Sequence, residues 1–139
     1  MWLPITEFAS DLKFLSPNVN TTLVSPSTAF NVMTVGGYDT INNKMIPSSG
    51  RGPTRDGRLK PDFVAPTNYS TSISAAISAG VAALLLEWGI VRANNLNLNT
   101  ISIKSYIMQG AVPLSSGDIV PNNIWGYGAI NLYNIFDKL

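Results

Sequence analysis

The sequence predicts an α/β fold with a parallel sheet, and three observations lead to it. The 139 residues are 45% apolar and 12% charged, which is enough apolar material for a packed core. Two short apolar runs, one ending at Tyr38 and one beginning at Asp62, are typical of strands covered on both faces. An Ala- and Leu-rich run that begins at Thr71 predicts a central helix. A chain of this length should be one domain or part of one.

The first half of the chain should alternate loop and strand. Residues 1–28 show no helical period and carry Pro, Asn and Thr, so we expect loop with short extended pieces such as 21–24. Residues 29–38 are nearly continuous in apolar character and stop at a Gly pair, which predicts a buried parallel strand. Residues 39–61 are dense in Asn, Ser, Gly and Pro and predict an exposed loop with at most a tight hairpin. Residues 62–65 predict a second strand, closed by Pro66.

The second half should be helical. Residues 71–88 predict the central helix, whose first turn a Ser or Thr can cap. This helix is apolar almost all round, so we expect it to be buried on most sides, and we expect it to be shorter than a membrane span. Asn99 and Thr100 can cap a second helix that ends at Gln109, before Gly110. Residues 129–139 predict a third.

Composition excludes several kinds of chemistry. The net charge of +1 gives no electrostatic reason to expect nucleic acid or an anionic membrane surface as a partner. The chain has no Cys and no His, so it holds no thiolate nucleophile, no imidazole base and no ligand set for zinc. A serine hydroxyl is a poor nucleophile without a positioned base. Any serine chemistry must therefore take its base from elsewhere.

Residues 70–75, Ser-Thr-Ser-Ile-Ser-Ala, stand at the head of the predicted central helix and are followed by Ala79-Gly80. This arrangement resembles the Gly-Thr-Ser-x-Ala motif of subtilisin-like serine peptidases, in which the nucleophile begins a buried helix. In that resemblance Ser72 takes the place of the nucleophile. The free N–H groups and the positive end of the helix dipole at such a position suit an oxyanion beside the hydroxyl.

The resemblance covers nearly the whole chain. It is closest to the clostridial spore-germination proteases, a subtilisin-like branch. The stretches that are similar to this branch are residues 2–4, 21–23, 26–29, 35–38, 48–66, 84–91, 125–128 and 131–133. Long matches in the same order are more specific than a single motif.

The resemblance implies that residues 1–139 are the C-terminal portion of a three-layer subtilisin-like catalytic domain. It implies a serine endopeptidase that acts on proteins or peptides, with Ser72 as nucleophile and the Ser72 backbone N–H as one oxyanion donor. The Asp and His of the triad and the Asn of the oxyanion hole would come from an upstream half of the same protein, and no cofactor or metal is implied. The start of the sequence has neither the basic opening nor the apolar run of a secretory signal. Localisation is left open, and the resemblance is compatible with a secreted or spore-associated bacterial protein.

The chain also departs from the family pattern near the motif. Ser70 stands where the family has Gly, Ala76 where it has Pro, and Thr67 where it has Gly after Ala65-Pro66. Residues 67–69 replace a much longer loop. These departures suggest an alternative function, a catalytically inactive subtilisin-like pseudoprotease or scaffold that works by binding protein.

Each candidate residue also has a plainer interpretation. Ser72 could be an N-cap serine that only satisfies a helix end. The cations of residues 51–60 and the carboxylates Asp39, Asp56 and Asp62 are expected to be solvated or turn-stabilising side chains rather than an anion site or a metal site. A lysine base for Ser72 is conceivable in principle. The three lysines considered for that role are Lys44, Lys60 and Lys104.

Overall fold

The computed structural model describes residues 13–115, 117 and 119–139. The similarity at residues 2–4 therefore lies outside the described residues. The elements, in chain order, are strands β1 (Val35–Asp39), β2 (Lys44–Met45) and β3 (Phe63–Pro66), and helices α1 (Thr71–Leu86), α2 (Thr100–Gly110) and α3 (Leu132–Asp137).

The strands form one mixed sheet in the order β2-β1-β3. β1 and β3 run parallel, with Val35 opposite Phe63 and Tyr38 opposite Pro66. β1 and β2 are the antiparallel arms of a tight hairpin. The predicted α/β class is thus confirmed, but the first strand begins at Val35 and not at Ala29, and the sheet is not purely parallel. The far side of β3 pairs with the segment around Ala129, where Val64 and Ala129 form a parallel bridge.

Helix α1 buries a single stripe, so the expectation that it is buried on most sides is wrong for this chain. The buried residues Ser74, Ser78, Val81 and Leu85 repeat at helical spacing and face the sheet. The opposite face is exposed, and Ile73, Ile77 and Leu84 keep 45%, 38% and 44% of their surface in contact with solvent. A second apolar surface is needed to cover this face.

The helix continues beyond its α-helical part. Residues Glu87–Val91 form a π-helical turn, in which Gly89 lies so close to Leu98 that a Cβ atom would stand 2.6 Å from a methyl carbon of Leu98. The continuous helix Thr71–Val91 has 21 residues and is long and apolar enough to cross a membrane by length and composition. The expectation that the central helix is shorter than a membrane span is therefore wrong. Core helices of soluble proteins pass the same test, and α1 packs its buried stripe on β1 and β3.

The main core lies between the sheet, α1 and the two C-terminal helices. Its buried members are Phe63, Val81, Leu85, Leu98, Ile103, Ile107 and Ile135. Asn99 caps α2 in a reciprocal arrangement with Ser102, as the sequence predicts. The third helix is shorter than predicted, because Ala129 belongs to the bridge with Val64 and Asn131 caps the helix.

An ionic cluster of Lys60, Asp62 and Lys104 joins the core elements, and the expectation of a solvated cation and a turn carboxylate is wrong for Lys60 and Asp62. The Asp62 carboxylate lies 2.7 Å from the ammonium groups of both Lys60 and Lys104. The same carboxylate accepts a 2.7 Å hydrogen bond from the Thr34 backbone N–H. Lys60 also donates to the Val32 carbonyl oxygen and the Thr34 hydroxyl, at 3.0 and 3.1 Å. Asp39 does stabilise a turn, accepting a hydrogen bond from the backbone N–H of Ile41.

The exposed face of α1 predicts that the isolated chain associates with itself. The outer edge of β3 is partly covered, since the Val64 N–H donates to the Gly128 carbonyl oxygen and the Ile130 N–H donates to the Val64 carbonyl oxygen. Light scattering at micromolar concentration should report a mass larger than that of a monomer. Replacing Ile77 and Leu84 with glutamate should lower the measured mass toward that of the monomer. A monomeric wild-type chain with a sharp two-state melt would contradict this expectation.

Candidate nucleophile site

The site lies at the carboxyl end of β3, where a short loop leads into α1. Thr67 is buried and its hydroxyl organises this loop. The hydroxyl donates to the Ser70 carbonyl oxygen at 2.8 Å and accepts from the backbone N–H groups of Ser70 and Tyr69, at 3.1 and 3.3 Å. The four residues 67–70 are therefore enough to connect the strand to the helix.

Ser72 is the second residue of α1 and is exposed. Within the part of the chain that the structure describes, its hydroxyl makes no hydrogen bond. The other serines of the helix are engaged differently: Ser74 is buried and donates to the Ala65 carbonyl oxygen at 3.0 Å, and Ser78 donates to the Ser74 carbonyl oxygen at 2.8 Å. The Ser72 hydroxyl is thus available to an external base and an external electrophile.

Ser72 opens onto a cleft of about 330 Å³. The floor is formed by Thr71, Ser72 and Ala75 of the helix. The opposite wall is formed by the segments before and within β1, namely Val24, Pro26, Ser27, Val32, Met33, Thr34 and Val35. None of these side chains is charged, so the described lining of the cleft offers Ser72 no charged partner.

The N-cap of α1 is Ser70, not Ser72. Ser70 has extended backbone angles, and its hydroxyl oxygen accepts a hydrogen bond from the Ser72 backbone N–H at 3.2 Å. The plainer interpretation of Ser72 as the capping serine is therefore wrong. The cap engages the N–H that the resemblance of the sequence to subtilisin-like peptidases predicts as an oxyanion donor.

Lys60 and Lys104 are engaged away from Ser72. Lys60 and Lys104 both bind Asp62, and burial lowers the pKa of Lys60 while the neighbouring Asp62 carboxylate acts in the opposite direction. Lys44 is exposed on the hairpin strand β2. Two of the three lysines considered as bases, the buried Lys60 and the partly exposed Lys104, are thus engaged in the ionic cluster.

Sequence reasoning missed the roles of Ser70 and Thr67. Both residues were noted as departures from the family motif, but their contacts depend on where the helix begins. The preference of Ser for the N-cap position was the available signal. It did not single out Ser70, because residues 70–72 offer three adjacent capping candidates.

Comparisons with known proteins agree with the geometry. Residues 11–128 match the profile of Peptidase_S8, the Subtilase family. The serine protease AprX of Bacillus subtilis is 29% identical over 147 aligned residues, which cover 81% of this chain. The solved structure of the Clostridium perfringens CspB protease superimposes with a TM-score of 0.84 at 38% identity and covers 90% of this chain.

A third likeness concerns the fold alone. The prenylagaramide maturation protease PagA superimposes with a TM-score of 0.66 at 23% identity, over 87% of this chain. The chain spans only part of these proteins: 31% of AprX, 30% of the CspB chain and 47% of the PagA chain.

Proposed function

The chain belongs to the subtilase family of serine peptidases, and from that premise we propose that it is the nucleophile-bearing, C-terminal part of a subtilisin-like endopeptidase domain. The proposal rests chiefly on Ser72, an exposed serine in the first turn of α1 whose hydroxyl is unengaged among the described residues. Its substrates would be proteins or peptides.

In the proposed reaction Ser72 Oγ attacks the carbonyl carbon of a peptide bond. A His from the upstream half takes the Ser72 proton, an upstream Asp orients that His, and the proton passes to the leaving amine. The Ser72 backbone N–H and an upstream Asn side chain would stabilise the negative oxygen of the tetrahedral intermediate. Water then hydrolyses the acyl-enzyme and restores the Ser72 hydroxyl.

The exposed face of α1 supports the requirement for an upstream half. The residues along its middle are small, and a Cβ placed on Gly80 would meet nothing within 4 Å. Ile73, Ile77 and Leu84 flank this small-residue track and are exposed. A layer packed closely against this face would bury them and would stand beside Ser72, where the His is needed.

The alternative function is a pseudoprotease or scaffold that acts by binding protein. The hydrogen bond from the Ser72 N–H to Ser70 favours it, since it engages an oxyanion donor with the chain's own hydroxyl. The shortened loop fixed by Thr67 also changes one wall of any substrate groove. The two functions differ in whether Ser72 becomes reactive once the upstream half is present.

Covalent labelling of the longer protein tests the proposal. We expect a fluorophosphonate to modify Ser72, because a serine reacts quickly with such reagents only when a base activates it beside an oxyanion hole. Intact-mass and peptide-mapping spectrometry would locate the adduct, and Ser72→Ala should abolish it. We expect peptidase activity to be modest, because the short loop alters the groove.

The isolated 139-residue chain is the second control. It has no His, so it should neither react with the fluorophosphonate nor cleave casein above background. Absence of an adduct on Ser72 in folded longer protein that carries the His and Asp would favour the pseudoprotease. Ser72-dependent cleavage by the isolated chain would show a different base.

A further inference from the structure

We infer that Ser70 is a positioning residue that limits the reactivity of Ser72, because its hydroxyl competes with the oxyanion for the Ser72 backbone N–H. The inference rests on the proposed function and concerns the same site. It explains what a side chain does at a position where the sequence motif of the family has Gly.

The competition follows from the geometry of one N–H group. The Ser70 oxygen lies 3.2 Å from the Ser72 nitrogen, close to the distance of 2.7–3.1 Å at which oxyanion donors act. A backbone N–H that is shared between two acceptors binds each of them less well than a single aligned acceptor. A full-strength hydrogen bond from the Ser72 N–H to a substrate oxyanion therefore requires the Ser70 hydroxyl to rotate away.

The rest of Ser70 cannot move with its side chain. Thr67 holds both the N–H and the carbonyl oxygen of Ser70, and the Ile73 N–H donates to the same carbonyl oxygen at 3.0 Å. Release of the Ser72 N–H therefore requires rotation about the Ser70 Cα–Cβ bond and not a movement of the loop. The capping bond is neutral and somewhat long, so a charged oxyanion can displace it at a moderate cost.

The effect should appear in the step that develops charge. The Ser72 N–H contacts the oxygen most strongly in the transition state, so its occupation lowers kcat while KM changes little. A net neutral hydrogen bond corresponds to a rate factor of about 3 to 10. Ser70→Ala is the informative variant, because an extended backbone accepts Ala without strain.

The experiment uses the longer protein and compares wild type, Ser70→Ala and Ser70→Thr. We expect Ser70→Ala to raise the rate of Ser72 modification by the fluorophosphonate, and kcat for a peptide substrate, by about 3- to 10-fold. Ser70→Thr keeps a capping hydroxyl and should react at the wild-type rate. Hydrogen exchange of the Ser72 amide should become faster in Ser70→Ala only.

A matched control separates this effect from the loss of a helix cap. Asn99 caps α2 through the backbone N–H groups of Ile101 and Ser102, so Asn99→Ala removes a cap away from the site and should leave the labelling rate unchanged. Equal labelling of Ser72 in wild type and Ser70→Ala would overturn the inference while the proposed function stands. Slower labelling of Ser70→Ala would also overturn the inference, because it would indicate that the Ser70 hydroxyl donates a hydrogen bond to the oxyanion. No labelling of Ser72 in any variant would overturn the proposed function and the inference together.

Discussion

Replacing Asp62 with alanine is expected to leave the chain unfolded at 25 °C. The Asp62 carboxylate is 5% exposed and neutralises Lys60, whose side chain is 3% exposed. Removal of one partner of a buried ion pair leaves an uncompensated charge and costs about 3–5 kcal/mol. The change also removes the acceptor of the Thr34 N–H and the partner of Lys104. With these further losses the total reaches about 5 kcal/mol, the lower end of the stability range of native proteins.

Far-UV circular dichroism and resistance to limited proteolysis would measure the outcome, because both remain interpretable when a chain associates. Glu87→Gln is the matched control: the ion pair of Glu87 with Arg92 is exposed, and such pairs contribute at most about 1 kcal/mol. It should keep the wild-type spectrum. If Asp62→Ala kept the wild-type spectrum and protease resistance, the cluster would not be required for folding.

Local sequence patterns predicted the strands better than the contacts between segments that are distant in sequence. β-rich runs and turn residues located β3 and the end of β1 to within one residue, because strand propensity and turn chemistry act over short distances, but they placed the start of β1 six residues too early. The ionic cluster could not be predicted in the same way. Its members Lys60, Asp62 and Lys104 meet only after β3 and α2 have packed, and the turn-rich surroundings of Lys60 suggested a solvated side chain.

Helix α1 shows a different limit of sequence reasoning. Its composition predicted burial on most sides, but Ile73, Ile77 and Leu84 are exposed, since composition reports the surface that a helix can bury and not what is present to cover it. The motif identified Ser72 as the nucleophile candidate by resemblance. It did not reveal the Ser70 cap, which depends on the side-chain rotamer and on the Thr67 hydrogen bonds.

Gly126→Ala is expected to destabilise the fold by about 2–5 kcal/mol, for two reasons that add. Gly126 has a φ of +57°, a left-handed conformation that costs an alanine about 1–2 kcal/mol. A Cβ atom there would stand 2.4 Å from the carbonyl oxygens of both Pro61 and Asp62. Those atoms belong to the backbone leading into β3, and the Asp62 carbonyl accepts a hydrogen bond from the Tyr127 N–H, so neither can move away cheaply.

Gly57→Ala separates the two contributions. Gly57 also has a positive φ, of +82°, but a Cβ atom on it would meet nothing within 4 Å. It should therefore lose only the conformational part, about 1–2 kcal/mol. Thermal denaturation of the two variants under identical conditions would compare them, and the Gly126 variant should melt at the lower temperature by several degrees. Equal melting temperatures would mean that the backbone around Gly126 can shift to make room for a Cβ atom beside the Pro61 and Asp62 carbonyl oxygens.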